Sequence, residues 1–291
     1  MSSNLKGICL ILVTLALFTS MDSVAKHLVQ NYPPIQVIWA RYLSQTVVSF
    51  VLLSPVLYRI LKTKNFKLQI VRSALLFIAT ICFFTSLKTL KLADVNAIFQ
   101  VSPIFVTILS VLVLKETVGH RRWLGVAFGL IGALLIIGPG TGVFSYAVIL
   151  PIISAASYAA YVISTRYLSH DESPLTSFVY TALLGSITAS VLVIPSWTPI
   201  DSSDLLVFSV FGLLGAAGHF LLIHAYRISE ASFLAPFNYI GILYGSLWGF
   251  YFFSEIPSLI TILGGLIIVS SGIYIWLREQ KKNRVFKKLI I

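Results

Sequence analysis

The chain has 291 residues, of which 57% are hydrophobic and only 11% charged, with a mean hydropathy of +0.93. A soluble domain carries about 25% charged residues, so this composition points away from a soluble protein and towards a polytopic membrane protein. The net charge of +11 would suit a nucleic-acid binder, but the placement of the basic residues argues against that reading.

Crossing a bilayer takes about 20 mostly apolar residues. Stretches of that kind occupy 7–25, 34–54, 73–89, 96–114, 122–138, 145–164, 176–194, 205–225, 233–253 and 258–277. The fold expected is all-α, with ten transmembrane helices. No small-residue cleavage site precedes Ile8, so the first stretch is expected to remain as a span. The longest polar runs, 59–72 and the tail from 278, are too short to fold as domains. Cys9 and Cys82 lie in apolar stretches without paired spacing, which indicates neither a disulfide nor a metal site. No cofactor is expected.

With the amino terminus in the cytoplasm, seventeen of the twenty-one Lys and Arg residues fall on the cytoplasmic side. They include Arg59 to Arg72, Lys115 to Arg122, Arg166, Arg227 and the tail from Arg278 to Lys288. Lys26, Lys88 and Lys91 fall outside, and Arg41 falls within a span. Basic residues concentrate in cytoplasmic loops, so both termini are expected inside, which an even span count requires. The basic tail, 280–291, is expected to rest on anionic headgroups. Nucleic acid is not an expected partner; a homodimer is left open.

The chain also repeats itself. Lys26 and Pro34 correspond to Arg166 and Pro174 at an offset of 140 residues, Ala93 to Ala231 at 138, and Glu116 to Glu255 at 139. Each of those glutamates is followed nine residues later by a glycine, Gly125 and Gly264. Residues 1–140 and 141–279 are therefore read as two five-helix repeats. Five is odd, so the second repeat must cross the membrane in the opposite sense. Inverted repeats of this kind enclose a site near the midplane and open it alternately to each side.

Ionisable groups inside a membrane are costly, about 2.5–3.5 kcal/mol at the centre, and tend to face a cavity or a partner. Arg41 is about two turns into span 2, and Asp22 and Lys26 share a face near the outer end of span 1. Asp22 and Lys26 are candidates for gating or coupling, with mutual or Arg41 neutralisation as the structural alternative. The repeat equivalent of Arg41 is Thr181, so Arg41 is a candidate substrate contact. His219 and His224 lie about 140° apart on one helix, so only one can face a narrow cavity. Ser154, Tyr158 and Tyr161 run along span 6. Gly241, Gly245 and Gly249, like Gly125 and Gly129, suggest close helix packing. Pro103, Pro151 and Pro236 lie inside spans, where each allows a bend. Glu116 and Glu255 read as caps or loop anchors.

A proline near the start of span 2, the Arg41-Tyr42 pair after it, and a glutamate just beyond spans 4 and 9 resemble the EamA group of the drug/metabolite transporter superfamily. The likeness covers roughly residues 5–280. It implies two inverted five-helix halves around a cavity walled mainly by helices 1, 3, 4, 6, 8 and 9, with 5 and 10 at the rear. On that reading Asn96, Gln100, Asn238 and Tyr239 in spans 4 and 9 join Tyr158 as cavity lining, where aromatic rings can stack on a flat substrate. A narrower likeness, in the run Met21 to Leu28 and again from Tyr32 to Tyr42, is to bacterial riboflavin importers of this superfamily. Related sequences serve other metabolites, S-adenosylmethionine among them.

No GxxxxGK[ST], HExxH or GxSxG motif is present, so neither ATP hydrolysis through a phosphate loop nor those hydrolytic chemistries are indicated. A channel would need a selectivity loop or charged rings, which are missing. The function expected is secondary transport or facilitation of a small polar or aromatic metabolite across a bacterial inner membrane, not enzymatic catalysis. Riboflavin uptake leads, and export or exchange of amino acids or S-adenosylmethionine is the alternative. A membrane-embedded enzyme or scaffold is the non-transport alternative.

Overall fold

A computed structural model of the chain describes residues 3–90, 92–137, 149–169 and 171–253, with scattered residues between 259 and 274. The described elements are helices and the turns that join them, with no strand among the described residues. Helix numbers here follow the expected spans: α1 Ser3–Asn31, α2 Pro34–Leu53, α3 Phe66–Thr89, α4 in two pieces (Leu92–Phe99 and Ser102–Val113) and α5 His120–Ile137. The second half holds α6 Ile149–Leu168, α7 Pro174–Val193, α8 Leu205–Ile228 and α9, again in pieces (Ala231–Leu234, a 3-10 segment Ala235–Tyr239, and Ile240–Phe253). The end of the bundle where α1 begins is the near face, and the end where it finishes is the far face.

Five helices among the described residues are long and apolar enough to cross a membrane: α1, α3, α8, and α2 and α7 with their short extensions. Apolar side chains turned outward on them, such as Leu206 at 73% and Val51 at 69% exposure, suit a lipid surround rather than water. Proline sets two of the helix starts. Pro33 is extended and Pro34 opens α2, while Ser173 caps α7 by accepting from the Thr176 N–H at 3.1 Å, with Pro174 in the first helical position. Proline's missing N–H is harmless there. These starts are the repeat pair Pro34 and Pro174.

The two halves interlock. The most extensive contacts pair α1 with α8, α3 with α6, and α2 with α7. Adding five to each first-half label and taking five from each second-half label converts the first pair into the second and leaves the third unchanged, as a twofold relation between repeats requires. Where helices cross closely, glycine makes room. A Cβ on Gly185 of α7 would overlap the ring of Tyr42 on α2, and one on Gly129 of α5 would overlap Tyr239 of α9. Gly245 departs from the expected packing motif, because a Cβ there would meet nothing within 4 Å. Gly241 instead faces Leu15 and Gln100 across the interior.

Both α4 and α9 are broken at their middles. α4 loses helical geometry at Gln100–Val101, ahead of Pro103, and α9 narrows to a 3-10 turn through Pro236 and Asn238. Gln100 and Asn238 are 138 residues apart, so the breaks are repeat-related. Discontinuous helices at the midplane expose backbone and polar groups where a membrane transporter binds its cargo. Pro151 lies near the beginning of the described part of α6, and the residues just before Ile149 lie outside the described residues. The expected tenth span falls mostly outside the described residues, as do Glu255 and the basic tail.

Candidate functional site

A cavity of about 110 Å³ lies at the centre of the bundle. Its wall takes Leu15, Phe18 and Asp22 from α1, Arg41 from α2, Thr80 and Phe83 from α3, and Asn96, Phe99 and Gln100 from α4. The second half adds Ser154 and Tyr158 from α6, His219 from α8, and Asn238 and Gly241 from α9. Most of the lining residues of α1 and α3, and Asn96, Phe99 and Gln100 of α4 taken whole, lie in the far halves of those helices. The cavity is therefore displaced towards the far face.

Arg41 dominates its electrostatics. It is 3% exposed, and its Nη1 donates to Thr80 Oγ1 at 2.8 Å. Its Nη2 lies 3.0 Å from Nδ1 and 3.2 Å from Nε2 of His219. The Thr80 hydroxyl in turn donates to the Leu76 carbonyl at 2.8 Å, and the Tyr42 hydroxyl lies 3.3 Å from it. Thr80 and His219 are 139 residues apart, so one arginine from the first half is held by the same repeat position from each half. Arg41 Nε is buried without a hydrogen-bond partner. Across the cavity, Asn238 donates through Nδ2 to the Tyr226 hydroxyl at 3.4 Å, while its Oδ1 is buried and unpartnered. A buried polar atom without a partner costs about 1–3 kcal/mol. Two residues that line the cavity therefore each carry a buried polar atom without a partner.

Aromatic rings form the rest of the wall. Phe83 meets Phe99 edge-on at 5.5 Å, Phe99 meets Tyr158 at 5.3 Å, and Phe18 packs 4.9 Å from the His219 ring. Such a lining accepts a flat ring by stacking or edge contact.

Seven of the ten residues singled out from the sequence converge here: Asp22, Arg41, Asn96, Gln100, Tyr158, His219 and Asn238. Three do not. His224 lies 3.0 Å from the Phe220 carbonyl and packs on the Phe220 ring, away from the cavity. Tyr239 is fully buried against Gly129 of α5, behind the site. Lys26 donates to the Leu87 and Leu90 carbonyls at 2.8 and 3.0 Å, tying the end of α1 to the end of α3. The hydrogen bonds of Arg41 and Lys26 go to these neutral groups rather than to Asp22.

Sequence reasoning missed what lies beneath the cavity. Arg72, counted from sequence as a loop charge, is 0% exposed six residues into α3. Its Nε donates to Thr165 Oγ1 at 2.7 Å, and its Nη1 to the Ser177 carbonyl at 2.9 Å and Thr181 Oγ1 at 2.6 Å. Its Nη2 donates to the Tyr161 hydroxyl at 2.9 Å. The helix start explains the error, because α3 begins at Phe66 and the polar run continues three residues into it and beyond.

Charged groups tie the helices together at the near face. Glu116 accepts from the Ala231 and Ser232 N–H groups at 3.1 Å each and from the Ser232 hydroxyl at 2.5 Å. Arg166 stands 3.9 Å from it and donates to the carbonyls of Tyr226 and Arg227 at 3.2 and 2.9 Å. Arg122 pairs with Glu230 at 2.5 Å. Lys115, just before Glu116, holds a φ of 54°. That left-handed conformation costs a non-glycine residue about 1–2 kcal/mol and turns the chain out of α4 towards α9. Glu116 is thus an anchor, though for a helix of the other repeat.

An interlocked, duplicated helical bundle with broken helices around a polar and aromatic cavity defines a membrane transporter. The EamA-like transporter family matches residues 5–138 and again 145–277, and the chain belongs to it. An S-adenosylmethionine uptake transporter of Rickettsia prowazekii (strain Madrid E) is 26% identical over 284 residues, covering 97% of this chain and 96% of that one. A riboflavin transporter of Vibrio cholerae serotype O1 is 34% identical over 189 residues, covering 65% and 63%. Another, from Brucella anthropi, is 29% identical over 250 residues, covering 82% and 88%. A crystal structure only 16% identical in sequence superposes with a TM-score of 0.78 over 96% of this chain and 98% of that one, a likeness of fold.

Proposed function

We propose that the chain carries a planar, heteroaromatic metabolite across a bacterial inner membrane by alternating access, and that the metabolite is riboflavin, taken up. The near face is the cytoplasmic one, with ten spans in two inverted halves and both termini inside. The basic loops and tail contact anionic headgroups. In this arrangement the cavity belongs to the outward-directed side, and the charged ties at the near face hold the inner exit closed.

The observation that carries the reading is the composition of the cavity wall, in which Arg41 and Asn238 are set among Phe18, Phe83, Phe99 and Tyr158. A substrate that fits offers a carbonyl or other acceptor to the guanidinium, an N–H or O–H to the amide oxygen, and a flat ring to the aromatic wall. The imide edge of an isoalloxazine has both an acceptor and a donor. Relatives that carry riboflavin agree with this chemistry.

A second reading has its own support. Asp22 faces the same cavity, and a carboxylate there suits a cationic substrate such as S-adenosylmethionine, which relatives over nearly the full chain carry. Asp22 also suits proton coupling, and Lys26, fastened to the end of α3, suits a part in the outer gate.

Expression in a riboflavin-requiring strain at limiting riboflavin decides between them. Uptake predicts rescue, and Arg41→Ala or Asn238→Ala weakens it at equal protein in the membrane. Failure of rescue with confirmed membrane expression sinks the riboflavin reading, while uptake of labelled S-adenosylmethionine by the same cells selects the second.

A further inference from the structure

Arg41 and Arg72 stand in a symmetric relation that the sequence alignment of the halves conceals. The repeat equivalent of Arg41 is Thr181, which suggests that the second half has no cation there. In the structure the first half supplies one: Arg72 of α3 donates to the Thr181 hydroxyl. Arg41 lies seven residues into α2 from the far face, and Arg72 six residues into α3 from the near face. At 1.5 Å per residue both guanidinium-bearing positions are about 9–10 Å inside opposite ends of the bundle.

The two cations are joined through the centre. His219, bonded to Arg41, packs 6.0 Å from the Tyr161 ring, and the Arg72 guanidinium lies over the same ring, 4.6 Å from its centre. Tyr158, in the cavity wall, packs on Tyr161 at 6.1 Å. Arg72 therefore sits one aromatic layer beneath the cavity floor. All its hydrogen-bond partners are neutral: two hydroxyls of threonine, one of tyrosine and one backbone carbonyl. Burying an unpaired charge costs several kcal/mol, far more than bracing three helices requires.

We propose that Arg72 is the inward-facing counterpart of Arg41, a second binding station that receives the same acceptor group of the substrate once the near face opens. The ligand chemistry is an anionic or carbonyl oxygen, as on an imide, a carboxylate or a phosphate. This rests on the transport reading above, and adds to it that the cargo passes between two cations rather than leaving one for water. Tyr161 is the layer between them, and Thr181 keeps Arg72 aimed at the axis while the site is shut.

The test uses sidedness, so it does not depend on knowing the substrate. Wild-type protein in right-side-out and inside-out vesicles is treated with a membrane-impermeant dicarbonyl that modifies arginine, and peptides carrying Arg41 and Arg72 are quantified by mass spectrometry. The proposal expects Arg72 to be modified from the near face alone and Arg41 from the far face alone. Protection of Arg72 from both sides, the outcome for a purely structural brace, overturns it, as does equal modification from both. A second measurement uses riboflavin as probe. Arg72→Gln is expected to keep binding from the far face within about threefold and to lose about 10- to 100-fold in net uptake, the worth of one charge-assisted hydrogen bond, with Arg72→Lys recovering part. Wild-type rates in Arg72→Gln overturn the proposal. If wild-type protein moves neither riboflavin nor S-adenosylmethionine while Arg72 is modified from the near face alone, the substrate reading fails and the second station stands.

Discussion

Glu116→Gln removes one charge and changes almost no volume, so it isolates the electrostatics of the near-face tie. Glutamate presents two anionic oxygens to three donors, the N–H groups of Ala231 and Ser232 and the Ser232 hydroxyl. Glutamine keeps one carbonyl oxygen and turns an NH2 towards groups that are themselves donors. The loss of a charge-assisted acceptor is worth about 1.5–3 kcal/mol, and the Arg166 pair at 3.9 Å adds little. Because each 1.4 kcal/mol is a factor of ten, the amides of Ala231 and Ser232 should exchange with deuterium about 10- to 150-fold faster. Hydrogen-exchange mass spectrometry of peptides covering 229–239 in detergent or nanodiscs reads this directly. Peptides from α7 should be unchanged, since α7 shares none of these bonds. Exchange within about twofold of wild type at 231 and 232 refutes the claim that Glu116 holds the near face, whatever happens to transport.

Two further outcomes follow from the placement of the cavity side chains. His219→Ala should reduce transport by about tenfold or more, because it strips Arg41 of a partner worth about 1.5–3 kcal/mol; His224→Ala should stay within about twofold, and equal effects of the two in the same uptake assay contradict the assigned orientations. Asp22→Asn should abolish uptake driven by a pH gradient yet preserve substrate exchange; an unchanged response to the gradient counts against Asp22 as a coupling group.

Much of the architecture is legible in the residue order because a bilayer leaves few choices. Apolar lengths locate the helices, Pro34 and Pro174 locate two of their starts, and the repeat offsets foretell which helices trade places. The site is legible only where chemistry is unusual for a membrane interior. Arg41, Asn96, Gln100 and Asn238 stand out against apolar neighbours and do meet in one cavity. Facing is harder to read. Tyr239 follows Asn238 by one residue, about 120° around the axis of the 3-10 turn, and that turn carries it from the cavity to Gly129. Arg72 is lost in sequence for a different reason. The run Lys64-Asn65-Phe66-Lys67-Leu68-Gln69 blends loop into helix, and nothing local reveals that a residue near its end is wrapped by hydroxyls from the other half. Partnerships 90 to 110 residues apart, as between Arg72 and Thr165 or Thr181, exist only once the halves interlock.

The broken middles of α4 and α9 have a mechanical consequence. An unbroken rod that tilts to open one end swings its other end the opposite way, and a bundle of such rods leaks at the moment of crossover. A rod with a joint at Gln100 or Asn238 is two levers. The near-face piece of α4, Ser102–Val113, can stay pinned through Glu116 while Leu92–Phe99 tilts at the far face, and the jointed α9 can do the reverse. On the alternating-access reading proposed above, each face then unlocks only after the other has latched, and the ion gradient of the cell is not short-circuited by its own carrier.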